Sequence, residues 1–228
     1  MRVVVALTLA AALLATASAS YASARPSPEA LLRQAKATLD STSSVHFVLS
    51  SKNVPSSGTN LSGGTGDAVR PDGLRGSFNV TVDGLGATVS VAAKGGVFLV
   101  KLPFATGYTR TNPATLGIGN PSQLLNPTTG LSAILTAGTN ARFSGSERIA
   151  GELLYMVTTE VPGSSVPILP TAGPSRPVTL VAAIDPHDRQ LRQLSLTGYF
   201  LSATATTTYV LRLTRYGEAV SISLPPAT

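Results

Sequence analysis

From Leu74 to Ala93 the chain alternates apolar and polar residues at period two across a central turn. Leu74, Gly76, Phe78, Val80 and Val82 hold every second position, with Arg75, Ser77, Asn79 and Thr81 between them. Asp83-Gly84 makes the turn, and Ala87, Val89, Val91 and Ala93 continue the pattern against Thr88 and Ser90. Successive side chains of a strand point to opposite faces, so this pattern specifies an antiparallel pair with one apolar and one polar face. Lys94-Gly95-Gly96 turns again into a strand over 97–102, which makes a meander. The apolar face is rich in small residues: Gly76, Ala87 and Ala93 stand beside modest valines. A core packed against bulky partners and a concave, partly empty face both fit that composition.

Around this meander the chain reads as one domain over 25–228. Ser27 is an N-cap with Pro28 at the first helical position and Glu29 in the first turn. Leu31, Ala35 and Leu39 then recur every four residues, predicting an amphipathic helix that ends near Ser41. A strand follows over 45–51, and the Gly/Ser-rich residues 56–66 are expected to form a loop or ragged edge. Residues 113–138 break the strand pattern. Asn120-Pro121 and Asn126-Pro127 each place an N-cap before a proline, predicting two short helices. The first carries Leu124 and Leu125; the second carries Leu131, Ile134 and Leu135 and stops at Gly138. Their apolar stripes need a surface to cover, and the apolar face of the meander is the obvious one. Strands resume at 140–149, 152–161, 177–185, 190–199, 205–215 and 219–224, with an irregular Pro-rich connection over 162–177. The class is α+β.

Composition narrows the setting. Charged residues are 12% and hydrophobic residues 43%, which excludes a disordered chain and a coiled coil. The formal net charge is +6, one less once Arg2 leaves with an export signal. That signal is read at 1–24: Arg2, an apolar run from Val3 to Ala15, then A-x-A sites at Ala17-Ser18-Ala19 and Ala22-Ser23-Ala24. The arginines are scattered and Trp is absent, so neither a phosphate-tracking stripe nor a base-stacking platform is present, and nucleic acid is not the expected partner. There is no cysteine, which excludes thiol nucleophiles, thiolate metal sites and a lipidated Cys after the signal. The mature protein is expected outside the cytoplasmic membrane, in the periplasmic space or cell wall, secreted, unanchored and monomeric.

Enzyme signatures are lacking. His46 and His187 are the two histidines, read as a structural strand residue and a turn residue. Gly63-Gly64-Thr65-Gly66-Asp67 is a Gly-rich loop with nothing downstream to complete a phosphate site, and turn capping accounts for Asp185 and Asp188. No nucleophile elbow, zinc helix, Walker loop or dinucleotide fingerprint occurs. The expectation is a non-enzyme with no cofactor and no metal.

One further pattern is more specific. Asn120-Pro121-Ser122-Gln123-Leu124-Leu125-Asn126-Pro127-Thr128-Thr129-Gly130-Leu131, followed by Ile134-Leu135, resembles the LppX/LprAFG family of mycobacterial and related actinobacterial envelope lipid carriers. The flanking Ser44-Val45-His46-Phe47 and Tyr216-Gly217-Glu218-Ala219-Val220 with Pro225-Pro226 are similar too. The resemblance implies a strongly bent antiparallel sheet, a half-barrel, with helices on its concave face enclosing an apolar cavity. It implies an acylated lipid or glycolipid as ligand, carried across the envelope. Some relatives work alongside an integral membrane transporter, although no residue here carries that partner over. Combined with the alternation, it points to Phe78, Val80, Val89, Val91, Phe98 and Val100 on the sheet, and Leu124, Leu125, Leu131, Ile134 and Leu135 on the insert, as cavity lining. Family members commonly begin with a lipidated Cys, and this sequence departs from that. A packed extracytoplasmic interaction module without a lipid remains the alternative on the residues alone.

Overall fold

The computed structural model describes residues 25–116, 119–166, 169 and 175–227. The export signal read at 1–24 lies outside them, as does part of the Pro-rich connection. The chain opens with α1 (Pro28–Ser41), then β1 (Ser44–Lys52), β2 (Thr59–Val69), β3 (Gly73–Val82), β4 (Leu85–Lys94), β5 (Val97–Lys101) and β6 (Thr109–Arg110). An insert follows, holding single 3-10 turns at Pro113–Leu116 and Pro121–Gln123 and one helical turn, α2 (Leu131–Ile134). Five strands complete the sheet: β7 (Thr139–Ile149), β8 (Glu152–Pro162), β9 (Pro177–Ile184), β10 (Leu191–Gly198) and β11 (Thr207–Thr214).

All eleven strands form one curved, unclosed sheet in the order β6-β5-β4-β3-β2-β1-β11-β10-β9-β8-β7. The first six strands walk outward from β1, and the last five walk back inward until β11 pairs with β1. Every ladder is antiparallel, as the alternation predicts. The insert must therefore travel from one free edge, β6, to the other, β7. That route carries it across the open side of the half-barrel. Tight two-residue turns support the meanders: Asp83 and Gly84 have φ of 48° and 84°, and Gly95 and Gly96 of 59° and 75°. Both residues of a type I′ turn need positive φ, and Asp-Gly and Gly-Gly supply it.

The helix α1 starts as predicted, with the Ser27 hydroxyl accepting from the Ala30 N–H at 3.2 Å. Its stripe of Leu31, Leu32, Ala35 and Leu39 is buried, and it packs across β7 to β10 and against α2. Arg70 caps its end, donating from Nε to Thr42 O at 2.8 Å and from Nη2 to Leu39 O at 3.0 Å. A small second cluster of Leu154, Met156 and Ala183 lies apart from the main core.

Three expectations need correction. Residues 56–66 are not a loop: β2 runs from Thr59 and contains the Gly63–Gly66 run. Those glycines are in the ladder because neighbouring strands pass too close for a Cβ; one on Gly64 would meet Phe78 Cδ1 at 2.6 Å. Residues 219–224 are not a strand. The segment crosses the ends of strands instead of lying along an edge. It is held by Gly217 N–H to Ser44 O at 2.9 Å and Lys94 Nζ to Ile222 O at 3.0 Å, with Ile222 buried. The insert helices are shorter than predicted. Asn120 does cap its turn, accepting from Ser122 N–H at 3.1 Å. Asn126 instead builds a turn of its own over Thr128 and Thr129, and α2 begins only after Gly130. A Cβ on Gly130 would stand 2.5 Å from three carbonyl oxygens, so glycine is required there.

Candidate functional site

The half of the concave face beneath α1 is filled. The other half is not. Between β1 to β5, β10 and β11 on one side and the insert on the other lies an apolar cavity of about 310 Å³. Its wall draws Phe47 and Leu49 from β1, Leu61 from β2, Leu74, Phe78, Val80 and Val82 from β3, and Val89 and Val91 from β4. It continues through Phe98 and Val100 of β5, Leu194 and Leu196 of β10, and Tyr209 and Leu211 of β11. Pro121, Leu124, Leu131 and Ile134 close it from the insert, and Val166, Leu169 and Leu201 contribute from connections.

Among the described residues, no charged side chain reaches this wall, and Thr59 and Tyr209 bring the only hydroxyls. Tyr209 spends its own: the phenol donates to Leu61 O at 3.1 Å, so its ring is what the cavity meets. Burial pushes the Tyr209 pKa up to about 12, which keeps it neutral. An interior of this kind offers nothing to a polar molecule and much to a hydrocarbon.

Of the residues singled out from sequence, Phe78, Val80, Val89, Val91, Phe98, Val100, Leu124, Leu131 and Ile134 stand in the wall. Leu125 and Leu135 do not; they are buried in the main core outside it. Phe47, Leu49, Leu194, Leu196, Tyr209 and Leu211 also stand in the wall, beyond the residues predicted from sequence. Each sits on a period-two strand pattern, so the signal was present. What placed those strands at the cavity was the β1–β11 pairing. The small residue Gly76 does not leave empty space either. Phe47 and Phe78 lean across the glycines with ring centroids 5.9 Å apart.

The insert is tied down by α1. Ser132 Oγ donates to Asp40 Oδ1 at 2.5 Å, and Lys36 Nζ, paired with Asp40 at 2.8 Å, also donates to Pro127 O at 2.8 Å. The backbone bonds of its turns, such as Leu131 N–H to Leu124 O at 2.9 Å, run within the insert, so these side-chain links to α1 help to hold it over the cavity.

The charged residues and the histidines lie elsewhere among the described residues. His46 Nδ1 is 2.8 Å from Asp67 Oδ1, and Arg75 pairs with the other carboxylate oxygen at 3.3 Å. Burial alone would raise the Asp67 pKa, but the hydrogen bonds from His46 and Arg75 outweigh it and hold it below the usual value. Asp185 accepts from the backbone of His187 at 2.7 Å and pairs with Arg192, which also binds Asp188 and Glu152. Its pKa is likewise lowered, burial being outweighed by those backbone bonds and Arg192. These oxygens staple hairpins. None faces the cavity.

The fold is therefore an unclosed half-barrel whose concave side holds an apolar chamber under a short insert. The chain belongs to the LppX_LprAFG lipoprotein family, matching it over residues 27–222. It is 27% identical to the lipoarabinomannan carrier protein LprG of Mycobacterium tuberculosis (strain ATCC 25618 / H37Rv), across 99% of this chain and 95% of that protein. Among solved structures, LprF from Mycobacterium bovis is similar with a TM-score of 0.69 and 17% identity, covering 87% of this chain and 96% of that one. Lipoprotein LppX of Mycobacterium tuberculosis gives 0.59 and 22%, covering 86% and 98%. These structural likenesses concern the fold. Among the described residues, no helix is long and apolar enough to cross a membrane.

Proposed function

We propose that this protein is a non-enzymatic carrier that holds acylated lipids or glycolipids in its concave cavity and moves them across the cell envelope. The observation that carries the reading is the cavity itself: about 310 Å³, walled by aliphatic and aromatic side chains, with no charge among the described residues. That volume lies at the lower end of the range for ligand sites. Each methylene gains roughly 0.8 kcal/mol on leaving water, so a chain of about 16 carbons is held in its membrane by on the order of 12 kcal/mol. Such a chain cannot cross an aqueous space unaided. A carrier must offer a comparable apolar environment, and no bond need be made or broken. The polar headgroup stays outside, since the wall has nothing to pair with it. The nine wall residues read from sequence, Phe78 and Val91 among them, are the proposed acyl contacts.

The name borne by the LprG relative, a lipoarabinomannan carrier, supports this reading. We place the working protein outside the cytoplasmic membrane, cleaved between about Ser18 and Arg25 and without the acyl anchor that the family's lipoprotein name implies, because the sequence offers no Cys to accept it. Organic extraction and mass spectrometry of the purified protein test the ligand. Near-stoichiometric acylated lipid is the expected result, and a clean protein that also fails to take up a fatty-acid probe would assign the fold to a packed interaction module. Intact-mass analysis of exported protein tests the processing.

A further inference from the structure

Six large apolar side chains are exposed among the described residues, and four of them, Val82, Leu85, Leu102 and Phe104, lie at or just beyond strand ends of β3, β4 and β5. Val82 and Leu102 belong to the cavity wall and yet are 43% and 60% exposed, so they mark where the cavity opens. Leu85, 76% exposed, pairs directly with Val82 across the β3–β4 ladder. Phe104 follows Leu102 by two residues and is fully exposed.

Phe104 is there at a cost. Ala105 N–H donates to Leu102 O at 3.2 Å, closing a turn with Pro103 second and Phe104 third. Phe104 has φ of 64°, the left-handed region that a turn of this type normally gives to glycine. A bulky residue there is strained, and this ring gains no burial within the chain to offset it. Strain held without internal benefit points to a contact outside the molecule.

The charge pattern says what that contact is. Between Asp83 and Glu147 the sequence has no acidic residue but carries Lys94, Lys101, Arg110 and Arg142. Lys101 adjoins Leu102 and forms no ion pair among the described residues, whereas Arg110, opposite Leu99, lies towards the other end of β5 beside Gly96. The one acid at this turn, Asp83 between Val82 and Leu85, accepts from the Gly58 N–H at 2.9 Å. Exposed apolar tips beside an unpaired lysine, in a stretch that carries no acid from 84 to 146, are what an anionic lipid surface binds.

We propose that the mouth of the cavity is a membrane-docking surface, with Leu102 and Phe104, flanked by Val82 and Leu85, inserting into an anionic bilayer. Docked this way, the cavity opens onto the acyl region, and a lipid enters without passing through water. The inference rests on the carrier reading for its purpose, but its test does not depend on what fills the cavity.

The chain contains no Trp, so Phe104→Trp installs a single reporter. Mixed phosphatidylglycerol and phosphatidylcholine vesicles should shift its emission to the blue and raise its intensity. Leu153→Trp, on an exposed apolar residue away from the rim, should not respond. In cosedimentation, Phe104→Ser or Leu102→Ser should weaken vesicle binding by about tenfold or more. Phosphatidylcholine vesicles alone should bind more weakly, and added salt should weaken the mixed vesicles further. Phe104→Gly, which suits the turn, should lose vesicle binding while keeping or raising thermal stability. The proposal is overturned if the wild-type protein ignores anionic vesicles or if the rim variants bind them as before. It is equally overturned if Phe104→Gly lowers thermal stability, or if the rim instead drives self-association in sedimentation. Any of these leaves the lipid-extraction result standing, so the two readings fail separately.

Discussion

Gly66 on β2 and Gly76 on β3 face each other directly across the ladder, with no room for a side chain between them. A Cβ on Gly66 would lie 2.8 Å from the Gly76 Cα and 2.9 Å from the Phe47 Cζ; one on Gly76 would lie 2.5 Å from Thr65 O. This closeness leaves bare backbone at the cavity wall, and the Phe47 and Phe78 rings cover it. Gly66→Ala is expected to destabilise by ~1–3 kcal/mol, at the upper end because backbone atoms stand in the way. Gly86→Ala, with open space around its Cβ, is the control and should be near neutral. Urea unfolding of both variants checks this.

Val91 stands in the cavity wall, opposite Gly76 on one side and Val100 on the other. Val91→Trp should fill the cavity and abolish uptake of a fatty-acid probe, with little change in the melting temperature of the lipid-free protein. Ser77→Trp, outward and exposed on the same sheet, should leave uptake intact. A loss of ~1–3 kcal/mol for Val91→Trp would indicate overpacking and so a site already full.

The cover should be the first part to open. Hydrogen exchange over the insert, residues 113–138, is expected to be faster than in β3 and β4 of lipid-free protein, and to slow when lipid binds. Asp40→Ala removes the partner of both Ser132 and Lys36. It should speed exchange around α2 and cost about 0.5–1.5 kcal/mol for each hydrogen bond lost.

Acid should weaken the β1–β2–β3 region through Asp67. Its pKa is lowered in the folded state, so its contribution is fully present above the unfolded value of about 3.9 and is lost as pH falls through the folded value. Asp67→Asn is expected to be less stable at neutral pH and to show a flatter loss of stability on acidification below about pH 4. Melting temperatures of both proteins across that range decide it.

The period-two runs, the Asp-Gly and Gly-Gly turns and the Ser27-Pro28 helix start are written in neighbouring residues. A strand's two faces and a helix's cap are local consequences of backbone geometry, so Phe78, Val80, Val89 and Val91 could be assigned to one face of the sheet directly from their spacing. Residues 56–66 misled for the same reason. A Gly/Ser-rich run signals a loop locally, and only the close approach of β1 and β3 gives those glycines a reason to be in a ladder. The terminal 219–224 run has strand-like composition, but the strand ends it crosses draw its hydrogen bonds.

Whether the concave face is packed or empty could not be decided locally, because the pattern Gly76, Ala87, Val89, Val91, Ala93 serves both. Two long-range events of the tertiary structure bear on it. β11 returns to pair with β1, which brings Leu194, Leu196, Tyr209 and Leu211 to the wall. The helix α1 then lands on β7 to β10, filling that half of the trough and leaving β1 to β5 to the light insert. Apolar residues in the sequence specify that a surface is hidden from water; what they are hidden against depends on which elements reach it first.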